Sequence, residues 1–425
     1  MELFLLKLVA LFRPLASMEY AEALFSVLGV GLFLLLLAAV LIKAALNQSL
    51  RLSAVDGMIA AFTLWCIAIS GIYYEGTKIG EVLKVLVPVL SYTLVKNIVP
   101  DQQSYRRLLF WIIIGFTVPT LLSASLIAVG SSTALDYVNY WTQVPRWKGV
   151  YTGAHNFGHS MTLFLITLVL YVTLRKTGEA GERAVSPRYE NILLSLLGIT
   201  ALYCLYKSEV RTAILGLLVF LGILSYSVNK KVFLIGAATF VLVAIATSPY
   251  WLMTFNPELG AEKHGVDVEV MNLGSGRPNL WLNDIRVFVE RPIDAELAGA
   301  GIGNRSGIGE GEGHVYGHND WLELLTQTGI IGFALFVTLQ IFIFKKILRM
   351  EGQEKYAFLA LFVAVNVMMF ISNSYVWRIQ VGHLYYMMLA FVEIRRTVTP
   401  EAADTAIAID RGKSDVVERY GRGIG

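Results

Sequence analysis

The chain has 425 residues, 56% of them hydrophobic and 16% charged, with a formal net charge of +3. A soluble domain carries about 25% charged residues, so a water-soluble globular class is excluded. The cations fall mostly between apolar runs, which leaves no nucleic-acid surface to read.

Apolar stretches long enough to cross a bilayer core of about 30 Å recur along the chain. Eleven spans are read at 23–46, 54–72, 79–99, 108–130, 157–174, 191–207, 212–228, 231–248, 328–348, 356–372 and 376–394. A shorter run, Leu3 to Phe12, is either a further span or an interfacial helix. Met1 to Leu46 feeds directly into further spans and has no cleavage-site pattern, so no signal peptide is expected. Cys66 and Cys204, the only two cysteines, lie inside these runs, so neither a disulfide framework nor a thiolate metal cluster is indicated.

Charge sets the expected orientation. Starting inside with twelve spans, seventeen cations fall in or beside one set of connections and six in or beside the short connections of the other. Both termini are then cytoplasmic, and the six (Lys78, Arg146, Lys148, Lys207, Arg211 and Arg378) are outer. The expected architecture is all-α: a polytopic membrane protein of about twelve transmembrane helices with a large helical outer loop. It divides into a bundle of about nine spans over 1–248, a loop subdomain over 249–327, closing spans over 328–396 and a disordered cytoplasmic tail over 397–425. Within the loop, Pro278 precedes a stretch whose Leu282, Ile285, Phe288 and Val289 recur at helical spacing, which predicts a helix there.

Outer cations run against the charge rule and need another reason. Arg211 immediately precedes a span; Arg146 and Lys148 flank Trp147 in the earlier outer segment, 131–156. A guanidinium fork matches phosphate oxygens, and the match strengthens near a low-dielectric boundary. The functional reading is a lipid-linked phosphate or pyrophosphate site; the alternative is snorkelling to headgroups, or pairing with Glu209. Glu81 and Lys84, three apart in a span, either pair or line an outer cavity.

His318 precedes Asn319-Asp320-Trp321-Leu322-Glu323, where Asn319 or Asp320 can cap a helix. The positive end of that helix keeps a nearby histidine neutral, available as a base, and favours an anion; a merely packing histidine is the alternative. The i, i+4 pairs His155/His159 and His314/His318 lack the further ligands that zinc needs, so no metal is expected. His383 reads as a satisfied core residue. The glycine run from Gly299 to Gly313 has no strand–helix unit around it, so it reads as a flexible or nest-forming loop over the site and not as a nucleotide cradle.

Three blocks in order resemble the membrane O-antigen ligase and polymerase superfamily: Gly274-Ser275-Gly276-Arg277 with Trp281; Gly299-Ala300-Gly301-Ile302-Gly303-Asn304; and His318-Asn319 with Leu322, Leu325, Gly329 and Gly332. The Arg211-Thr212-Ala213 step matches the family's arginine before a span, although Glu209 departs from its usual serine-rich surroundings. The likeness is strongest to O-antigen ligases. It implies a GT-C-type, inverting, metal-independent glycosyltransferase without cofactors, in the bacterial inner membrane with its site facing the periplasm. The donor would be a glycan on undecaprenyl pyrophosphate and the acceptor lipid A–core. His318 would be the base and Arg211 the catalytic cation; Arg146, Lys148, Arg277 and Lys84 would bind pyrophosphate. An O-antigen polymerase or another oligosaccharyltransferase fits the same blocks, and a lipid or glycan transporter is the reading from a different class.

Overall fold

The computed structural model describes residues 1–46, 50–73, 79–138, 145–177, 187–231, 233–234, 277–303, 319–373 and 378–394. The first helices are α1 (Glu2–Leu15), α2 (Glu22–Ala45), α3 (Ala54–Ile72), α4 (Ile79–Ile98) and α5 (Gln102–Ala128). A two-stranded hairpin follows, β1 (Leu135–Val138) and β2 (Pro145–Trp147), then α6 (Ala154–Thr177), α7 (Pro187–Ser208) and α8 (Arg211–Val228). The later helices are α9 (Arg277–Val289), α10 (Ile293–Ala298), α11 (Asp320–Leu348), α12 (Gly352–Ile371) and α13 (Ile379–Leu389). Eight of these, α2, α3, α5, α6, α7, α8, α11 and α12, are long and apolar enough to cross a membrane. The protein is a multi-pass helical membrane protein.

Three further helices pass through the same bundle. α1 packs on α2 and α5 with Leu6, Val9 and Ala10 buried. Glu2 bridges Lys43 at 2.6 Å at one end, and beyond the other end the Glu19 amide donates to the Val150 carbonyl at 2.8 Å. α1 therefore runs antiparallel to α2 and does not lie on a surface. α4 carries Glu81, Lys84 and Lys96, which interrupt its apolar length. α13 has only 11 residues but is buried from Gln380 to Leu389, at the centre of the bundle. The expected span over 231–248 and the tail from Thr397 lie almost wholly outside the described residues.

The fold is mostly helical, as expected, with one short hairpin after α5 in which Tyr137 stands opposite Arg146 across the ladder. The reading of His383 as a satisfied core residue is corrected. His383 is fully buried, yet neither ring nitrogen has a hydrogen-bond partner among the described residues. Phe33 meets that ring edge-on at 5.2 Å. Arg13, which the apolar count of α1 passes over, is also fully buried, its guanidinium against Gly29 and without a hydrogen-bond partner among the described residues.

At the end of the bundle away from the hairpin, one charged network ties four elements. Ser53 caps α3 in a capping box with Asp56. Lys96 of α4, 1% exposed, pairs with Asp56 and, at 3.2 Å, with Glu393 after α13. Ser53 donates to Glu393 at 2.8 Å, Tyr92 donates at 3.1 Å, and Lys346 of α11 lies 3.7 Å away. Removing one member of such a buried pair leaves an uncompensated charge, at about 3–5 kcal/mol. Lys96→Met should therefore lower the melting temperature in detergent sharply, and Glu393→Gln added to it should recover part of the loss. A Lys96→Met protein that melts with the wild type would show the network to be dispensable.

Candidate functional site

The hairpin end of the bundle carries the polar constellation. The turn between α7 and α8 is tight: Glu209 is the only non-glycine residue of positive φ (+52°) among the described residues. Backbone of this kind persists only where its surroundings over-determine it, and here they do. α6 approaches so closely that a Cβ on Gly158 would lie 2.6 Å from Val210 Cβ and 2.9 Å from Ser208 Oγ. His159 of α6 bonds through Nδ1 to the His155 carbonyl at 2.7 Å, and its Nε2 lies 3.4 Å from the Thr212 hydroxyl. A carbonyl only accepts, so Nδ1 carries the proton, and in the neutral ring Nε2 accepts from Thr212. The His155 ring lies nearly parallel to that of His159, 6.2 Å away. From the hairpin, Arg146 Nε donates to the Ser208 carbonyl at 3.3 Å, while its Nη1 donates to the Tyr137 hydroxyl at 2.6 Å. Arg146 and Arg211 are thus gathered on one turn, with Glu209 between them in chain order.

The other expected phosphate ligands have partners of their own or open a helix. Lys148 pairs with Glu19 at 2.7 Å, and Lys84 pairs with Glu81 at 2.8 Å, the pairing alternative for that residue. Arg277 opens α9. His318 and His314 lie outside the described residues, as does the Gly274–Gly276 block. The helix after His318 is present, and Asn319 is its cap, accepting from the Trp321 and Leu322 amides at 3.0 and 3.2 Å. Asp320 is fully buried, and Glu323 accepts from Asn373 at 2.8 Å. Among the described residues no three His, Cys, Asp or Glu side chains gather as a metal site.

The glycine block does something other than form a nest. α11 breaks at Gly329 (φ +67°, ψ −178°), which frees the carbonyls of the preceding turn. The Ala300 amide donates to the Thr326 carbonyl at 3.2 Å, the Gly301 amide to the Gln327 carbonyl at 3.1 Å, and the Gly303 amide to Gln327 Oε1 at 3.1 Å. Arg291 Nη1 adds a bond to the Thr326 carbonyl at 2.7 Å, and Trp65 Nε1 one to the Thr328 carbonyl at 2.8 Å. The amides of Ala300, Gly301 and Gly303 are spent capping a helix break, which corrects the nest reading for this part of the run. Close by on α9, burial raises the Asp284 carboxyl to about 6 against the opposing pull of Arg291.

Trp65, Tyr137, His159, Thr212, Arg291 and Asn373 carry these contacts without having been singled out for them. His159 had a signal in its i, i+4 spacing, but that spacing pointed to a metal partner and not to a hydroxyl across a helix pair.

Fold and site together define a multi-pass membrane protein whose bundle gathers polar and cationic side chains at one end. Residues 196–337, which run from α7 through the helix break into α11, match the O-antigen ligase family. The match takes in Arg211, Arg277 and His318 alike. No curated protein matches the chain. The match points to glycosyl transfer of the ligase or polymerase type on lipid-linked glycans.

Proposed function

We propose that the protein transfers an O-antigen glycan from undecaprenyl pyrophosphate to lipid A–core at the periplasmic face of the inner membrane, as a metal-independent, inverting glycosyltransferase. One observation supports the reading: the family match spans the strained α7–α8 turn, after which Arg211 opens α8 and to whose Ser208 carbonyl Arg146 donates. In the proposed mechanism Arg211, supported by Arg146 and Arg277, neutralises the charge that the pyrophosphate gains as the anomeric bond breaks. His318 takes the proton of the attacking sugar hydroxyl. Transition-state charge stabilisation of this kind contributes about 10²–10³ in rate per donor, and the donors proposed here are guanidinium groups. Lys148 and Lys84 would act through their pairs with Glu19 and Glu81, steering anions more than gripping them. Twelve spans, cytoplasmic termini, a loop subdomain over 249–327 and a GT-C-type fold complete the proposal.

Reconstitution tests it. The purified protein in liposomes, given lipid-linked O-antigen and lipid A–core, should glycosylate the core in the presence of a chelator. Elongation of a second lipid-linked glycan instead would make the protein a polymerase. Activity lost in chelator and restored by Mg²⁺ or Mn²⁺ would overturn the metal-independent step and return His155, His159 and His314 to consideration as ligands.

A further inference from the structure

α9 has two apolar faces, and the packing uses one. Asp284 and Phe288 are buried, and Trp281 stands 5.7 Å from Phe370 at the hairpin end of α12. Leu282, Ile285 and Val289, at helical spacing on a different face, are 65%, 43% and 64% exposed. α10 continues with Ile293 and Leu297, 67% and 41% exposed. Beyond this row, Arg286 and Glu290 bridge each other at 2.7 Å in the open. Scattered exposed apolar residues need no explanation, but a contiguous row rimmed by charge marks a contact surface.

The surface continues into one already assigned. The Leu297 carbonyl and the Gly299 amide sit against Gly329, and the next residues along α11, Ile330 and Ile331, are themselves exposed. Phe370, which Trp281 touches, is 54% exposed at the end of α12. Both α11 and α12 are among the helices apolar enough to cross the membrane, so exposed apolar side chains on them are what lipid would cover. The row on α9 and α10 extends that exposed apolar surface sideways at its rim. The order around α9 is packed face, bare apolar face, charged face, as in a helix lying along a membrane surface.

We infer that α9 and α10 lie in the membrane interface, with Leu282, Ile285, Val289, Ile293 and Leu297 immersed at the boundary of headgroups and acyl chains. The partner is the lipid leaflet at the hairpin end. Arg286 and Glu290 then face water, and the capped break of α11 sits at headgroup depth. The inference stands on burial and continuity alone and does not depend on the reaction proposed above.

The test uses the full-length protein in phosphatidylethanolamine/phosphatidylglycerol nanodiscs. Single cysteines at Leu282, Ile285 and Val289, and at Arg286 as control, carry an environment-sensitive fluorophore; Cys66 and Cys204 are buried and resist labelling. The row should emit blue-shifted relative to Arg286→Cys, be quenched by a lipid with a shallow doxyl label, and be spared by iodide. Iodide quenching of the row as strong as at Arg286→Cys would overturn the inference. Protection of the row from both quenchers would overturn it equally, by placing protein over that face. Because the readout is lipid contact and not transfer, its failure is separable from failure of the proposed reaction.

Discussion

Gly329→Ala should lower the melting temperature and cut glycan transfer by about 10²-fold, the usual cost of displacing positioned groups by about 1 Å. The residue sits at φ +67°, and a Cβ there would lie 2.3 Å from the Leu297 carbonyl oxygen and 2.4 Å from the Gly299 amide nitrogen. Both obstacles are backbone, so no side chain can turn aside. Holding a non-glycine residue in the left-handed region costs about 1–3 kcal/mol on its own. If α10 retreats to make room, the Thr326 and Gln327 carbonyls lose the Ala300 and Gly301 amides; Thr326 still accepts from Arg291, and a Gln327 carbonyl left unpaired costs a further 1–3 kcal/mol or so. Gly299 is the reciprocal position: its φ is +87°, and a Cβ would meet the Gln327 carbonyl oxygen at 2.4 Å. Gly299→Ala should therefore reproduce the defect. Gly31→Ala, where no atom lies within 4 Å of the added carbon, should leave both stability and transfer at wild-type values. Thermal unfolding in detergent and transfer in liposomes measure the two effects, and wild-type behaviour of Gly329→Ala would remove the helix break from the argument.

That break shows where sequence reading reaches its limit. Span positions were legible because apolar length is a one-dimensional signal: the stretch read over 54–72 is α3, and that read over 79–99 is α4 within a residue. The helix after His318 was legible for the same reason, since an Asn before an apolar run is a local cap. The first part of the glycine run, Gly299 to Gly303, was misread because its partner, the opened turn at Thr326 and Gln327, is set by a kink that no local pattern announces. The hairpin escaped notice because its key pair, Tyr137 with Arg146, becomes neighbours only through the ladder. On α9 the helical spacing of Leu282, Ile285, Phe288 and Val289 was correct, yet only Phe288 is buried. Periodicity assigns a helix; it does not say whether protein or lipid meets each face. Arg211 was legible as a cation before a span, whereas the turn it follows is braced by Gly158 and His159 of α6, about fifty residues earlier in the chain.

His318→Ala should retain donor binding while transfer falls by about 10²–10⁴, the usual worth of a positioned general base. Arg211→Ala should behave differently, weakening the binding of a lipid-linked pyrophosphate as well as turnover, because the guanidinium is proposed to hold the group that leaves. Arg211→Lys should rescue only in part: an ammonium restores the charge but not the two-pronged fork that meets two phosphate oxygens at once. Folding should survive all three changes. Arg211 stands at the first position of α8, where no interior helix bond depends on its side chain, and His318 precedes the Asn319 cap, which keeps its own bonds to the Trp321 and Leu322 amides. Thr212→Val separates aim from charge. It deletes the hydroxyl that meets His159 Nε2 while leaving Arg211 in place, so it should lower turnover more than donor affinity. Single-turnover transfer, paired with equilibrium binding of a short-chain polyprenyl pyrophosphate to each purified variant, distinguishes these outcomes. Wild-type turnover by His318→Ala would take it out of the mechanism and direct the search for a base to Asp320 and Glu209. Undiminished pyrophosphate binding by Arg211→Ala would move the anion site off the α7–α8 turn altogether.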